Sequence, residues 1–280
     1  MELINILNSY IFSIPVHFLL PAMVLFMGAV GFAAWKKKTL TADGALAAVV
    51  CGVVVLYCLR LEGFILFLFF FLSCNLIGKI SGKKTGPEGG FEKKGSCRDW
   101  VQVAANGLMA VVSALWWLSS RDFSAVIMFG AAIAESTSDT FAGEIGRMSR
   151  INPISIRNMK PVEKGMSGGV TPLGFAGGVL GALAIAVLWF FLFPVVKGVS
   201  YALIICVSAV FGCVADSFLG ATAQALYFDR ESGKFTERDT DRNGQPLELC
   251  RGVKWLDNDM VNLSCNILAA VLSVTLTKIV

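Results

Sequence analysis

The feature that most constrains this chain is a succession of apolar runs, each long enough to cross a bilayer and set apart by short polar segments. They fall at about 16–34, 43–60, 62–78, 99–118, 123–143, 173–196, 199–224 and 258–279. A helix of roughly 20 apolar residues spans the hydrocarbon core. A chain in lipid must satisfy its backbone polar groups internally, which leaves helices and closed β-barrels. The alternating pattern of a transmembrane β-barrel is absent. Composition agrees, with 55% of the 280 residues hydrophobic and 16% charged, against about 25% charged in soluble domains. The sequence predicts an all-α polytopic integral membrane protein of about eight transmembrane helices, forming one membrane domain over residues 1–280. No basic residue precedes the first run and no small-residue cleavage site follows it, so it reads as a span and not a cleavable signal. Residues 1–14 are mixed and read as an interfacial segment.

The basic residues orient the bundle. Connections 35–42, 79–98, 147–172 and 226–257 hold three, six, five and six Lys or Arg; everything else holds four, namely Arg60, Arg121, Lys197 and Lys278. Cytoplasmic loops carry the excess of Lys and Arg. The expectation is a cell-membrane protein with both termini away from the cytoplasm and all four long connections inside it. Eight cysteines without a CxxC pair argue against a disulfide framework or a zinc site. The lone His17 argues against histidine-based catalysis, and nothing points to a nucleic-acid partner.

Against that background the acids inside the apolar runs stand out. Residues 134–147, AESTSDTFAGEIGR, close the fifth run, and Asp216-Ser217-Phe218-Leu219-Gly220 repeats the Asp-[Ser/Thr]-Phe-x-Gly pattern in the seventh. Glu135, Asp139 and Gly143 share one helical stripe, as do Asp216, Gly220 and Gln224. Each carboxylate costs roughly 2.5–3.5 kcal/mol near mid-membrane, so something must offset it. The bland alternative, an acid satisfied inside the bundle, covers a single case better than a repeated motif. Two further stripes, Asp99–Gln102–Asn106 and Asp259–Asn262–Asn266, begin beside Trp100 and Trp255. Amides in such positions also serve as interhelical glue. The predicted orientation gathers all these groups at the cytoplasmic face, where Glu144 is close enough to the interface to be simply solvated.

Three loops suit phosphate, the shortest being Arg251-Gly252 before Trp255. Residues 81–90 combine glycines with Lys83 and Lys84 but lack P-loop spacing. Residues 164–174, which begin at Lys164 and hold Ser167-Gly168-Gly169-Val170-Thr171, lead into the sixth run, where backbone N–H groups and a helix N-terminus favour an anion. The bland reading of the basic residues is positive-inside topology with headgroup contact. The mixed-charge segment from Tyr227 to Arg251, in which Asn243-Gly244 suggests a hairpin, is assigned no chemistry.

Carboxylates with basic glycine-rich loops fit a magnesium-bound polyphosphate, since Mg²⁺ is held by one or two carboxylates plus phosphates. A site among membrane helices makes the acceptor a lipid headgroup. On this reading Asp139, Asp216 and Asp259, with Glu135, are the candidate Mg²⁺ ligands. Lys83, Lys84, Arg98 and Ser167, Gly168, Gly169 and Thr171 hold phosphate, and Asn106 and Asn262 orient the substrate. A phosphate acceptor is already ionised and needs no strong base.

Five motifs in order, Gln102-Val103-x-Ala105-Asn106-Gly107, Ser136–Gly146, Ser167–Thr171, Asp216–Gln224 and Asn258-Asp259-x-Val261-Asn262, resemble the polytopic membrane family that includes transmembrane protein 19 and the plant plastid phytyl-phosphate kinase. The resemblance covers nearly the whole chain. It implies transfer of a phosphoryl group from a nucleoside triphosphate, CTP, to an isoprenyl or phytyl monophosphate. Two other classes share parts of this pattern: an ion-coupled transporter, and a cytidylyltransferase forming a CDP-lipid.

Overall fold

The structure, a computed structural model, describes residues 1–85, 97–241 and 243–280. Among these the chain is mostly helical: α1 (Glu2–Ile11), α2 (Val16–Lys36), α3 (Ala42–Thr85), α4 (Trp100–Ser120), α5 (Ser124–Arg147), α6 (Pro172–Leu192), α7 (Gly198–Thr222) and α8 (Asn258–Thr277). Five short strands lie in the connections: β1 (Ile154–Ser155), β2 (Gly169–Val170), β3 (Leu226–Asp229), β4 (Lys234–Thr236) and β5 (Glu248–Arg251). Six of the described helices, α2, α3, α4, α6, α7 and α8, are long and apolar enough to cross a membrane.

α3 is 44 residues long. At 1.5 Å per residue it would reach ~66 Å if straight, twice the hydrocarbon thickness. It is not straight. Arg60 has φ 56° and ψ −155°, outside helical space. Ala45 shares a cluster with Phe71, although a continuous helix would hold them ~39 Å apart. The chain therefore doubles back where the apolar runs 43–60 and 62–78 meet. α1 caps this turn: Asn8 Nδ2 donates to both Glu62 oxygens at 2.8 Å, and Asn8 Oδ1 accepts from the Leu61 N–H. The Arg60 guanidinium lies 4.9 Å from the Phe12 ring centroid.

α5, the fifth apolar run, is the least membrane-like of the long helices and the most enclosed. Residues 125–138 are buried without a break, because α3, α4, α6, α7 and α8 all pack on it. A helix sheathed by other helices can carry acids that a lipid-facing helix cannot. The closest partner is α6, which lays a ladder of glycines on the α5 backbone. A Cβ on Gly174, Gly177 or Gly181 would stand 2.9 Å from the carbonyl oxygens of Ala142, Phe141 and Thr137 respectively. Small residues permit this approach, and packing and hydrogen bonds then hold the pair. Ser138 Oγ donates to Gly178 O at 2.9 Å, and the buried Trp189 Nε1 donates to Val126 O at 3.1 Å.

The connections divide between the two ends. At one end, Trp117, Phe123, Trp189, Phe193 and Tyr201 form an aromatic group with ring centroids 5.6–6.3 Å apart. There Lys197 Nζ donates to Val280 O at 2.6 Å. At the other end lie the long polar connections. The Thr41 N–H donates to Arg98 O and the Arg98 N–H to Thr39 O, tying the α2–α3 link to the start of α4. β1 and β2 pair antiparallel. The segment after α7 folds as an antiparallel sheet in the order β4-β3-β5, with Asn243-Gly244 in a tight turn on Asp241. The Arg251 guanidinium donates to Gly220 O at 2.8 Å, fixing the sheet to α7.

Candidate functional site

At the polar-connection end the helices surround a cavity of about 710 Å³, within the ~300–1,000 Å³ usual for ligand sites. Helical spacing puts Asp139, Thr140, Gly143, Glu144 and Arg147 of α5 on its wall. Asp216 and Ser217 of α7 face them, with Asn258, Asp259 and Asn262 from the first turns of α8. α4 contributes Gln102 and Asn106, and Arg98 precedes it. The Lys164–Thr171 loop forms one side, and Gln224, Glu237 and Asp257 enter from the α7–α8 connection.

Ten predicted site residues thus meet in one place: Arg98, Asn106, Asp139, Ser167, Gly168, Gly169, Thr171, Asp216, Asp259 and Asn262. With its amide oriented by its neighbours, Asn262 donates to Asp216 Oδ2 at 3.0 Å and to Asn258 O at 3.2 Å. Asn106 Nδ2 donates to Gln102 O at 2.9 Å, and its carbonyl accepts from Ser136 Oγ at 3.1 Å. The apparent Asp99–Gln102–Asn106 stripe divides in two. Asp99 and Gln102 form a capping box at the start of α4, the usual way to satisfy free N–H groups there.

The glycine loop is built around Gly168, whose φ is +79°; a Cβ there would lie 2.5 Å from the Ala221 backbone nitrogen. Only glycine lets the loop rest on the end of α7. Ser167 Oγ donates to the Glu237 carboxylate. The buried Gln224 donates through Nε2 to Glu237 Oε1 at 2.8 Å and to Ser167 Oγ at 3.2 Å. Thr171 Oγ1 accepts from the Gly174 N–H at 3.0 Å and caps α6. Burial raises the Glu237 carboxyl above its usual range, with repulsion from Asp257 and Asp259 adding to it and the Ser167 and Gln224 bonds opposing it.

Three predicted site residues fall elsewhere. Lys83 and Lys84 are exposed at the end of α3 and do not line the cavity; residues 86–90 of that glycine-rich loop lie outside the described residues. Glu135 sits one helical turn deeper than Asp139 and is 2% exposed. Asn266 Nδ2 donates to its Oε2 at 2.8 Å, and also to Ala132 O and Ser136 Oγ at 2.9 Å. This ties α5 to α8, so Glu135 is committed to packing and not to the cavity.

Other lining residues escaped sequence reasoning. Glu144, read as solvated, is 20% exposed and ion-paired with Arg147. Arg147 counts in the sequence only as a basic residue of the 147–172 connection, whereas Lys164 opens the glycine-rich loop read as suited to phosphate; its Nζ donates to Ser149 O at 2.8 Å. Glu237 and Asp257 come from the connection given no chemistry. No local signal marks Glu237, because its place depends on the β3–β4 hairpin.

Among the described residues the cavity is lined by six carboxylates, Asp139, Glu144, Asp216, Glu237, Asp257 and Asp259, and by three cations, Arg98, Arg147 and Lys164. Among the described residues no three of His, Cys, Asp or Glu form a ready-made metal cage. Mg²⁺ does not need one, since it binds through one or two carboxylates while phosphates and water complete the octahedron. Asp139 and Asp216, which repel one another electrostatically, with the amide of Asn262 beside them, are a hard-oxygen donor set of that kind.

A family model described as integral membrane protein DUF92 matches residues 25–270. An uncharacterised membrane protein of Methanocaldococcus jannaschii is 31% identical over 188 residues, 66% of this chain and 75% of the relative. Protein PGR of Arabidopsis thaliana is 29% identical over 276 residues, covering 89% of this chain and 93% of the relative. No solved structure matches.

Proposed function

This chain belongs to the DUF92 family of integral membrane proteins, and from that premise we propose that it catalyses Mg²⁺-dependent phosphoryl transfer from a nucleoside triphosphate, CTP, to an isoprenyl or phytyl-type lipid monophosphate. One observation carries the reading: acids, amides and a glycine loop from six separate parts of the chain converge on one cavity at one end of a membrane bundle. The positive-inside rule assigns that end to the cytoplasm of a cell membrane crossed about eight times.

In the reaction an oxygen of the lipid monophosphate attacks the γ-phosphorus of the nucleotide. The new P–O bond forms as the bond to the β-phosphate oxygen breaks, giving the lipid diphosphate and the nucleoside diphosphate. Catalysis of this kind is mostly positioning and charge stabilisation. Asp139 and Asp216 would hold Mg²⁺, with Asp259 as a third candidate; the ion, when bound, neutralises charge on the transferred group. Arg98 keeps its role as a cation that meets phosphate, and Arg147 and Lys164 take the places of Lys83 and Lys84. The Ser167–Gly169 backbone cradles it, and Asn106 and Asn262 orient the acceptor.

A second reading, an ion-coupled transporter, is favoured by the deep pair Glu135 and Asn266, where Oε1 and Oδ1 have no hydrogen-bond partner among the described residues. A cytidylyltransferase would use the same cavity but attack the α-phosphorus and release pyrophosphate. Thin-layer analysis of the purified protein with CTP, Mg²⁺ and an isoprenyl monophosphate separates the three. The expected product is the lipid diphosphate. A CDP-lipid selects the cytidylyltransferase. No lipid product from any nucleotide, with solute uptake into proteoliposomes, selects the transporter.

A further inference from the structure

The cavity is not walled on every side by polar groups. Its lining includes Phe175 of α6 and Val214 of α7, and both are also open to the outside of the bundle, at 56% and 38% exposure. Val214 belongs to a stripe of exposed apolar residues along α7, with Val199, Leu203, Val207, Phe211 and Phe218. Their three- and four-residue spacing marks one helix face, and in an integral membrane protein that face meets lipid. The same two residues therefore border the polar cavity and the bilayer.

Two contacts bracket this part of α7. On the inner side the helices touch: a Cβ on Gly178 would lie 3.4 Å from Cys213 Sγ. At the outer end the glycine loop sits on α7, where a Cβ on Gly220 would lie 3.1 Å from the Gly168 nitrogen. Between Cys213 and Gly220 the helix rises ~10 Å, enough for a hydrocarbon chain. Asp216 projects into the cavity at the same level.

We propose that a side window opens between α6 and α7 at this level, through which the apolar tail of a lipid phosphate extends into the bilayer while its phosphate lies beside Asn106 and Asn262. This rests on the lipid-phosphate reading of the cavity. The substrate reaches the site from within the membrane leaflet, while the nucleotide enters from the aqueous end beside Lys164 and Arg98. The tail keeps its apolar contacts throughout, so only the headgroup changes environment.

The test uses the wild-type protein in phosphatidylcholine nanodiscs with a long-chain isoprenyl monophosphate carrying a photoreactive diazirine in its tail near the phosphate. Labelled peptides are mapped by mass spectrometry, and the matching isoprenyl alcohol serves as control. Labelling should fall on the peptides containing Phe175 and Val214, roughly tenfold above the alcohol. Val214→Trp, which fills the window, should reduce labelling at Phe175 by a similar factor, while Val207→Trp on the same stripe should not. Equal labelling by the alcohol, or labelling concentrated elsewhere, overturns the window. Product formation is followed in parallel. Diphosphate formed without window labelling discards the window and keeps the reaction; phosphate-dependent window labelling without product does the reverse.

Discussion

At the scale of single residues, the paired acids are distinguished by their depth. Asp139 and Asp216 reach the cavity, whereas Glu135 is held by Asn266 between α5 and α8. Asp139→Asn and Asp216→Asn are each expected to reduce turnover by at least ~100-fold, since each removes a charge that acts in the transition state, while size-exclusion profiles stay unchanged. Normal turnover in both would sink the metal assignment. Glu135→Gln should keep turnover within a few-fold. Asn266→Ala, which strands the buried Glu135 oxygen, should cost about 1–3 kcal/mol, read as a lower melting temperature. Glu237 makes a pH-dependent contribution. Burial raises its pKa in the folded state, so the folded protein holds that proton more tightly than the unfolded chain does. The associated stability is present below the ordinary carboxylate range and is lost as pH rises through the raised value. Relative to Glu237→Gln, the wild-type melting temperature should therefore be higher near pH 5 and fall toward neutral pH; parallel profiles would show that Glu237 does not titrate in this way.

At the scale of elements, two arrangements set the geometry. The α6 glycines let α5 and α6 approach until backbone meets backbone, which fixes the helix that carries Asp139. The loop at Gly168 does the same for Ser167, whose hydroxyl meets Glu237. Gly168→Ala combines a left-handed φ with a clash against the Ala221 backbone, so the loop must lift. A displacement of about 1 Å in a positioning loop costs roughly a hundredfold in rate, and that loss is expected in a steady-state assay, with membrane insertion preserved. Turnover close to wild type would show that the loop does not position phosphate. The α-helices and their approximate limits were legible from apolar runs. The break at Arg60 was legible as the junction between two of them. The sheet after α7 was legible only as a turn at Asn243-Gly244, because its strands are three or four residues long and no periodicity can be read over that length.

At the scale of the whole molecule, the polar connections and the cavity share one end, and the aromatic group and both terminal contacts share the other. If the basic loops face the cytoplasm, exposed Cys250 should react with a membrane-impermeant maleimide only when the cytoplasmic face is accessible, as in inverted vesicles, and Ser9→Cys only from the opposite face. Labelling of Cys250 in intact cells would reverse the topology. Apolar length and charge asymmetry determined from sequence alone that the chain is a polytopic membrane bundle, because hydrocarbon demands about 20 apolar residues per crossing. Helical spacing also placed Asp139 and Gly143, and Asp216 and Gly220, on common faces, since that depends only on 3.6 residues per turn. Only the tertiary structure decided which acids meet. Glu135 and Asp139 lie on one stripe and look equivalent in sequence. A single turn of depth puts one against Asn266 and the other in the cavity. Glu237 joins the site through packing between segments far apart in the chain, and no local pattern encodes such a distance.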